Sequence, residues 1–325
     1  MSFPWKQTVK SAIVRSGIMR LCALFRSQSV AILCYHSVST DREWQSNCIS
    51  LGNSVDAKVF DEQMRALREK YHPITLDDIA DWLNGNKQLP PRSVAVTFDD
   101  GFEDNYSIAA PIMEKYDIRG AIYLAVDAVR RQELPWYCRL HYLFHNKRIS
   151  GKMGGEDLET EQSFAKSCVI LGEEQLTRRM EQIESKFGYK LDLSKSSPGM
   201  MTFEQAKELR RRGHIIGSHT LSHGIAGLLT AEQLRREIGE ANQILERELG
   251  EPIQHFSYPH PYLIDPQWSE DSLRETESIG YKTAVLTQHG SVRRNANPLL
   301  LPRVYIGNDS VEQFRWKLEN AFMGK

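Results

Sequence analysis

Strand, turn, helix and strand alternate along most of the 325-residue chain, which predicts an α/β fold built on a parallel sheet or barrel. Three observations carry that prediction. Short β-branched or apolar runs recur at residues 31–35, 94–98 and 121–126. Two of them end abruptly in polar side chains, His36 and the triplet Asp99-Asp100-Gly101. Helical patterns with recognisable caps lie between them.

In chain order, Val9, Ile13, Ile18, Leu21 and Leu24 recur at roughly helical spacing, with Lys10, Arg15 and Arg20 interleaved. Residues 1–28 thus read as a basic amphipathic helix. Such a helix either lies on an anionic membrane surface, here through residues 6–26, or packs on the body of the domain. Phe60, Met64 and Leu67 form one helical face, and Thr75 caps a second helix running to Trp82. Residues 105–116 form a helix carrying Pro111. From 130 to about 200 the rhythm breaks into a polar, mostly helical stretch ending in Ser194-Lys195-Ser196-Ser197-Pro198-Gly199, a loop signal. It reads as an insertion in a single domain covering 29–325.

The α/β pattern then resumes. Thr202 and Gln205 make a capping box that opens a helix to Arg212, with Gly213 at its end. Residues 214–218 form a short strand ending at His219. Thr230 and Gln233 open a long helix that buries Leu234, Ile238, Ala241, Leu245 and Leu249. Residues 256–258 and 284–287 read as the last core strands, separated by a helix ending near Gly280.

Hydrophobic residues make up 41% and charged residues 26%, which excludes a disordered, collagen-like or coiled-coil chain. With 41 basic and 42 acidic residues the net charge is -1, which argues against a dedicated nucleic-acid binder. Cys22, Cys34, Cys48, Cys138 and Cys168 are scattered and never paired as CxxC, so neither a disulfide framework nor a zinc knuckle is expected. No apolar run spans a bilayer, and Lys6, Lys10, Arg15, Arg20 and Arg26 interrupt every stretch that could form a signal-peptide core. The expected location is the cytoplasm, with peripheral contact at the inner membrane face as the alternative.

In parallel α/β folds, functional side chains gather where strands end. His36, Asp99-Asp100, His219/His223 and the corner Tyr258-Pro259-His260 all fall at such places. Each alone is weak, since an acidic pair before glycine is a common turn and one histidine at a strand end is ordinary. Together, one carboxylate and two imidazoles make a three-donor metal set with positions left for water and substrate. Adjacent carboxylates at a strand end point different ways, so one can hold the cation while the other faces the attacking water. That adjacency disfavours glycoside hydrolysis, whose two carboxyl groups flank the bond ~5–9.5 Å apart. A metal hydrolase fits better.

Thr97-Phe98-Asp99-Asp100-Gly101 and Ser218-His219-Thr220-Leu221-Ser222-His223 resemble the first two signature motifs of the NodB-homology polysaccharide deacetylases, carbohydrate esterase family 4. The likeness covers roughly residues 30–125 and 200–306. It implies a distorted (β/α) barrel with a helical insertion, and a divalent metal, Zn2+ with Co2+ or Ni2+ as alternatives. By the same resemblance Asp100, His219 and His223 are the metal ligands and Asp99 the catalytic base. Leu33-Cys34-Tyr35-His36-Ser37-Val38 looks like the early segment of the poly-N-acetylglucosamine branch, in which a histidine from this strand is the general acid. His36 takes that role, on the wall opposite Asp99. The Leu-x-His of better-known members is absent here, since no histidine follows His289.

The usual third-motif arginine is also missing, and Phe256-Ser257-Tyr258-Pro259-His260-Pro261 stands in its place. The resemblance assigns this corner to substrate and oxyanion binding, with the backbone N–H of His260 as donor. Arg303, in Leu301-Pro302-Arg303-Val304, matches a recurrent segment of the branch; it either orients Asp99 or pairs structurally at the barrel rim. Trp136, Tyr137, Tyr262 and Trp268 either stack on sugar rings or pack in the core and insertion. Cys34 reads as a small buried hydrophobe. The function expected is hydrolysis of N-acetyl groups on an N-acetylated sugar or glycan, with no nucleic-acid partner. A small-molecule amidase or cyclic-imide hydrolase on the same barrel, and a silent glycan-binding protein, are the alternatives.

Overall fold

The computed structural model describes residues 29–40, 53–147, 199–260 and 264–324, and within the insertion 152–153, 156–157, 161–169, 171 and 173–186. The amphipathic segment 1–28 and Tyr262 lie outside these residues. The strands are β1 (Ser29–Tyr35), β2 (Ser37–Ser39), β3 (Ser54–Asp56), β4 (His72–Pro73), β5 (Ser93–Phe98), β6 (Ala121–Leu124), β7 (Lys152–Met153), β8 (Glu156–Asp157), β9 (Ile215–Ser218), β10 (His255–Ser257), β11 (Thr283–His289), β12 (Val292–Arg293) and β13 (Leu301–Tyr305). Helices α1 (Ala57–Lys70), α2 (Leu76–Leu83), α3 (Ala110–Lys115), α4 (Val126–Arg131), α5 (Trp136–Lys147), α6 (Glu161–Val169) and α7 (Glu173–Lys186) fill the first part. The remainder are α8 (Phe203–Arg211), α9 (Ala231–Leu234), α10 (Ala241–Leu249), α11 (Glu270–Ile279) and α12 (Val311–Phe322).

Parallel pairing runs β1-β13-β11-β10-β9-β6-β5, and β5 pairs back onto β1, closing a barrel. The strand β13 was not among the expected core strands. A proline at position 302 and an arginine at 303 hide its apolar pattern, yet it is the strand that completes the closure. Among the described residues no helix is long and apolar enough to cross a membrane.

The period-2 alternation of the strands divides the core. On β1, Ala31, Leu33 and Tyr35 join the large cluster beneath the helices, whereas Val30 and Ile32 join a second cluster with Ala95, Tyr123, Val285 and Leu301. That second cluster fills the barrel, and α2 closes one end of it with Leu76, Ile79 and Trp82. Fully burying each such side chain contributes ~1.5–3 kcal/mol. Gly217 on β9 is required by closeness: a Cβ there would meet the Tyr123 ring at 2.4 Å and the His255 carbonyl at 2.7 Å.

Local capping follows the expected chemistry. Thr75, Thr202 and Thr230 each form a capping box, and Gly213 takes a left-handed φ of +88° after α8. Two expected helices are less regular than anticipated. A π-helical turn, Asn105–Ala109, precedes α3, and another, Arg235–Glu240, separates α9 from α10. The insertion is helical but not simply polar: Leu134, Leu140, Leu143, Phe164, Ala165 and Cys168 join the main core.

Candidate active site and metal centre

The inward phase of three strands brings the polar residues together. Cys34 continues the inward series of Val30 and Ile32, and Asp99 continues that of Ala95 and Thr97. Arg303 lies two residues beyond inward-facing Leu301. Asp100 should then face outward. Its φ of 75° lies in the left-handed region and breaks the alternation, so that consecutive carboxylates serve one site. Thr220 and His223 take φ values of 63° and 65° in the second motif. Left-handed non-glycine residues cost about 1–3 kcal/mol each and persist where the surroundings over-determine them.

Asp100 Oδ1 lies 3.6 Å from His219 Nε2 and 3.3 Å from His223 Nε2. Donors ~2.1 Å from a tetrahedral ion stand about 3.4 Å apart, so both carboxylate–imidazole separations have the right size for a shared divalent cation, and all three donor atoms lie within 4.8 Å of one another. All three residues are buried, and Asp100 Oδ1 has no hydrogen-bond partner, an expensive arrangement that a cation would repair. His219 Nδ1 lies 2.8 Å from the Ser257 carbonyl. A carbonyl only accepts, so Nδ1 carries the proton and Nε2 turns its lone pair to Asp100. Burial is the main cause that pulls the His219 pKa down to about 4, which keeps the imidazole neutral and able to ligate. The loop bearing His223 is clamped from the π-helical turn, where Glu237 accepts from Ser222 N at 2.9 Å and Ser222 Oγ at 2.6 Å.

Asp99 sits beside this triangle and is held differently. Arg303 donates Nη1–H to Oδ1 at 2.8 Å and Nη2–H to Oδ2 at 2.6 Å. The same guanidinium donates to Thr97 Oγ1, Ser257 Oγ and the Leu286 carbonyl, so each of its nitrogens is engaged. Burial, the largest single influence, would raise the Asp99 pKa, but the charge and hydrogen bonds of Arg303 together with the neighbouring imidazoles outweigh it and hold the carboxyl well below the usual range. Of the two readings of Arg303, the structure supports the one that orients Asp99. The residue is fully buried inside the barrel rather than at its rim.

His36 is not on a wall opposite Asp99. β1 and β5 are paired neighbours with Tyr35 beside Phe98, so the residues that follow, His36 and Asp99, emerge side by side. One ring nitrogen of His36, Cys34 Sγ and one Asp99 oxygen all lie within 4.8 Å of one another. Cys34 is therefore more than a core filler: its Sγ donates to Asp99 Oδ2 at 3.7 Å. Ser257 is likewise a site residue that composition could not reveal, since its carbonyl orients His219 and its hydroxyl donates to Asp99 at 3.2 Å.

The Tyr258 side chain leaves the site. Its hydroxyl pairs with Thr276 Oγ1 at 3.1 Å and its ring stacks edge-on against Phe256, because residue 258 follows Phe256 in the outward phase. The Tyr258 side chain is thus part of the buried wall rather than of the polar cluster. Pro259 is buried, and His260 pairs through Nδ1 with Thr287 Oγ1 at 2.7 Å. Tyr137 faces the metal triangle, its ring 4.7 Å from that of His223. Trp136 and His223 border a cavity of about 450 Å³ between insertion and barrel, which Gln233 and Arg236 also line. Trp268 is half-buried and packs on the core.

The polysaccharide deacetylase family model matches residues 86–284, most of the chain and both motifs. The chain belongs to the polysaccharide deacetylase family. This deacetylase is thus a hydrolase of N-acetyl amide bonds on sugars. It is 24% identical over 278 residues to the polysaccharide deacetylase YxkH of Bacillus subtilis, a match covering 85% of this chain and 70% of that protein. A 64-residue stretch is 36% identical to the poly-beta-1,6-N-acetyl-D-glucosamine N-deacetylase of Escherichia coli, covering 19% of this chain and 10% of that one. Among solved structures, the Streptococcus pyogenes deacetylase PplD in complex with acetate superposes with a TM-score of 0.62 at 18% identity, covering 90% of this deacetylase and 99% of PplD. IcaB from Ammonifex degensii gives 0.60 at 18% identity, covering 90% and 98%. These likenesses establish the fold, a distorted (β/α) barrel.

Proposed function

We propose that this deacetylase removes acetyl groups from N-acetylglucosamine units of a glycan, with Asp100, His219 and His223 holding a zinc-type cation. The observation that carries the reading is the convergence of those donors around an unpaired Asp100 oxygen, with Asp99 held ionised beside them. A divalent cation bound there supplies Lewis-acid polarisation of the acetyl carbonyl and lowers the pKa of water.

The chain's own residues do the rest. Asp99 accepts the proton of the attacking water. Arg303 fixes the carboxylate plane with two charge-assisted bonds. Of the remaining acceptor positions, one takes the Ser257 hydroxyl and the other only the long, weak contact of Cys34 Sγ, which the attacking water replaces. The backbone N–H of His260 is the proposed oxyanion donor, a role typically worth ~2.7–4 kcal/mol. An amide nitrogen leaves only when protonated, and His36, with a ring nitrogen beside the Asp99–Cys34 pair, donates that proton as the C–N bond breaks. The products are acetate and a free amine.

The test is acetate release from N-acetylglucosamine oligomers by the chelated chain, then after addition of zinc, cobalt or nickel. Metal-dependent release supports the reading. Hydrolysis of simple amides or cyclic imides without turnover of the oligomers points to the small-molecule amidase, and glycan binding without turnover in metal-replete protein points to a silent binder.

A further inference from the structure

The insertion carries a second group of metal-type donors that the catalytic reading does not use. His141 and His145 are four residues apart on α5, which places both imidazoles on one helical face, and their ring centroids are 4.0 Å apart. Glu161, the first residue of α6, reaches across to them. We propose that His141, His145 and Glu161 form a second divalent transition-metal site that ties α5 to α6.

The distances are those of a donor set. Glu161 Oε1 and Oε2 lie 3.0 and 3.1 Å from His141 Nδ1, and Oε2 lies 3.7 Å from His145 Nε2. These values bracket the ~3.4 Å expected between two ligands of a tetrahedral ion. A hydrogen bond explains the contact between His141 and Glu161. It does not explain His145, whose Nε2 stands beyond hydrogen-bonding range of the same carboxylate. A cation shared by three donors accounts for both.

The chemistry is also that of the catalytic centre: one carboxylate with two imidazoles spaced H-x-x-x-H, as in Asp100 with His219 and His223. The surroundings differ. His145 is 54% exposed at its side chain, so this site opens to solvent and leaves coordination positions to water. Its location suits a structural clip. The first turn of α5 carries Tyr137, whose ring stands against His223, and Trp136, which lines a cavity together with His223, so fixing α5 on α6 fixes a wall beside the catalytic pocket.

The experiment is zinc stoichiometry by elemental analysis on the full chain, loaded and then freed of loose metal by gel filtration. Wild type should hold two zinc ions per chain. His145→Ala and His219→Ala should each hold one, and the double variant none. Because His145 is half-exposed, its truncation should leave the circular dichroism spectrum unchanged; Glu161→Gln, which keeps the side-chain volume, should repeat the loss of one ion. A wild-type content of one zinc, unchanged in His145→Ala, overturns the proposal. So does zinc in His219→Ala that persists in the double variant. If His219→Ala instead binds as much zinc as wild type while His145→Ala loses one ion, the insertion site stands and the catalytic ligand assignment fails.

Discussion

Arg303 and Asp99 meet fork to fork, at 2.8 and 2.6 Å, inside the closed barrel and out of reach of solvent. Arg303, by charge and hydrogen bonds, is the main influence opposing burial and, with the nearby imidazoles, holds Asp99 ionised. Arg303→Met leaves the burial and removes the compensation, so the Asp99 pKa rises. Turnover needs the carboxylate, and the acidic limb of the kcat/KM profile should move to higher pH. An uncompensated buried charge costs on the order of 3–5 kcal/mol, to be read by urea denaturation at pH 7. A variant with the wild-type acidic limb would show that Arg303 does not act through Asp99.

The linkage sign for Asp99 is that of a depressed carboxylate. Its stabilising contribution is present above the unfolded-state pKa of about 3.9 and is lost as pH falls below it. Wild type should therefore lose stability on acidification below about pH 4. Asp99→Asn should lack that component, retain its zinc, and lose turnover by roughly 10²–10⁴-fold, the usual contribution of a general base. Loss of zinc along with turnover would make Asp99 a ligand.

His36 is tested by the leaving group. An amide needs protonation at nitrogen, whereas an activated aryl acetate departs unaided. His36→Gln should lower amide turnover by roughly 10²-fold or more and leave the aryl ester nearly untouched. Equal losses on both substrates would assign His36 to binding or positioning instead.

Asp104 supplies the opposite pH signature. It is buried against Ser37 and Asn105, and burial outweighs those hydrogen bonds to push its pKa up to about 8. A raised carboxyl favours folding most below its unfolded pKa, and that advantage is lost as pH climbs from about 4 to about 8. Asp104→Asn, neutral at every pH, should gain stability relative to wild type across that window, by ~1.4 kcal/mol per unit at its steepest. Asn105 donates to the His36 carbonyl at 2.7 Å, so the same region sets where His36 sits. Parallel denaturation curves at pH 5 and pH 8 are the measurement; an unchanged difference between the two proteins would place Asp104 ionised in the fold.

The metal triangle was legible because its donors occupy strand ends and a recognisable H-x-x-x-H, and the structure brings Asp100, His219 and His223 together. Asp99 and Arg303 were legible as candidates and, in one of two readings, as partners, although 204 residues separate the two ends of the ion pair. Ser257 contributes through its backbone carbonyl, which no side-chain pattern encodes. The direction of the Tyr258 ring was not legible either: a resemblance to a family corner says nothing of phase, and the strand's alternation turns the ring toward Thr276. The relation of His36 to Asp99 depended on β1 and β5 being neighbours, which becomes visible only when the barrel closes.

That closure also sets a timetable. β1 is flanked by β5 and by β13, so the earliest strand of the described chain waits for the final one before its outer edge is covered. As the polypeptide leaves the ribosome, Asp99 emerges two hundred residues ahead of the cation that neutralises it. On the proposed mechanism, hydrolytic competence therefore waits until synthesis has passed Arg303: a nascent fragment ending short of it carries Asp100, His219 and His223 but lacks the guanidinium that holds Asp99.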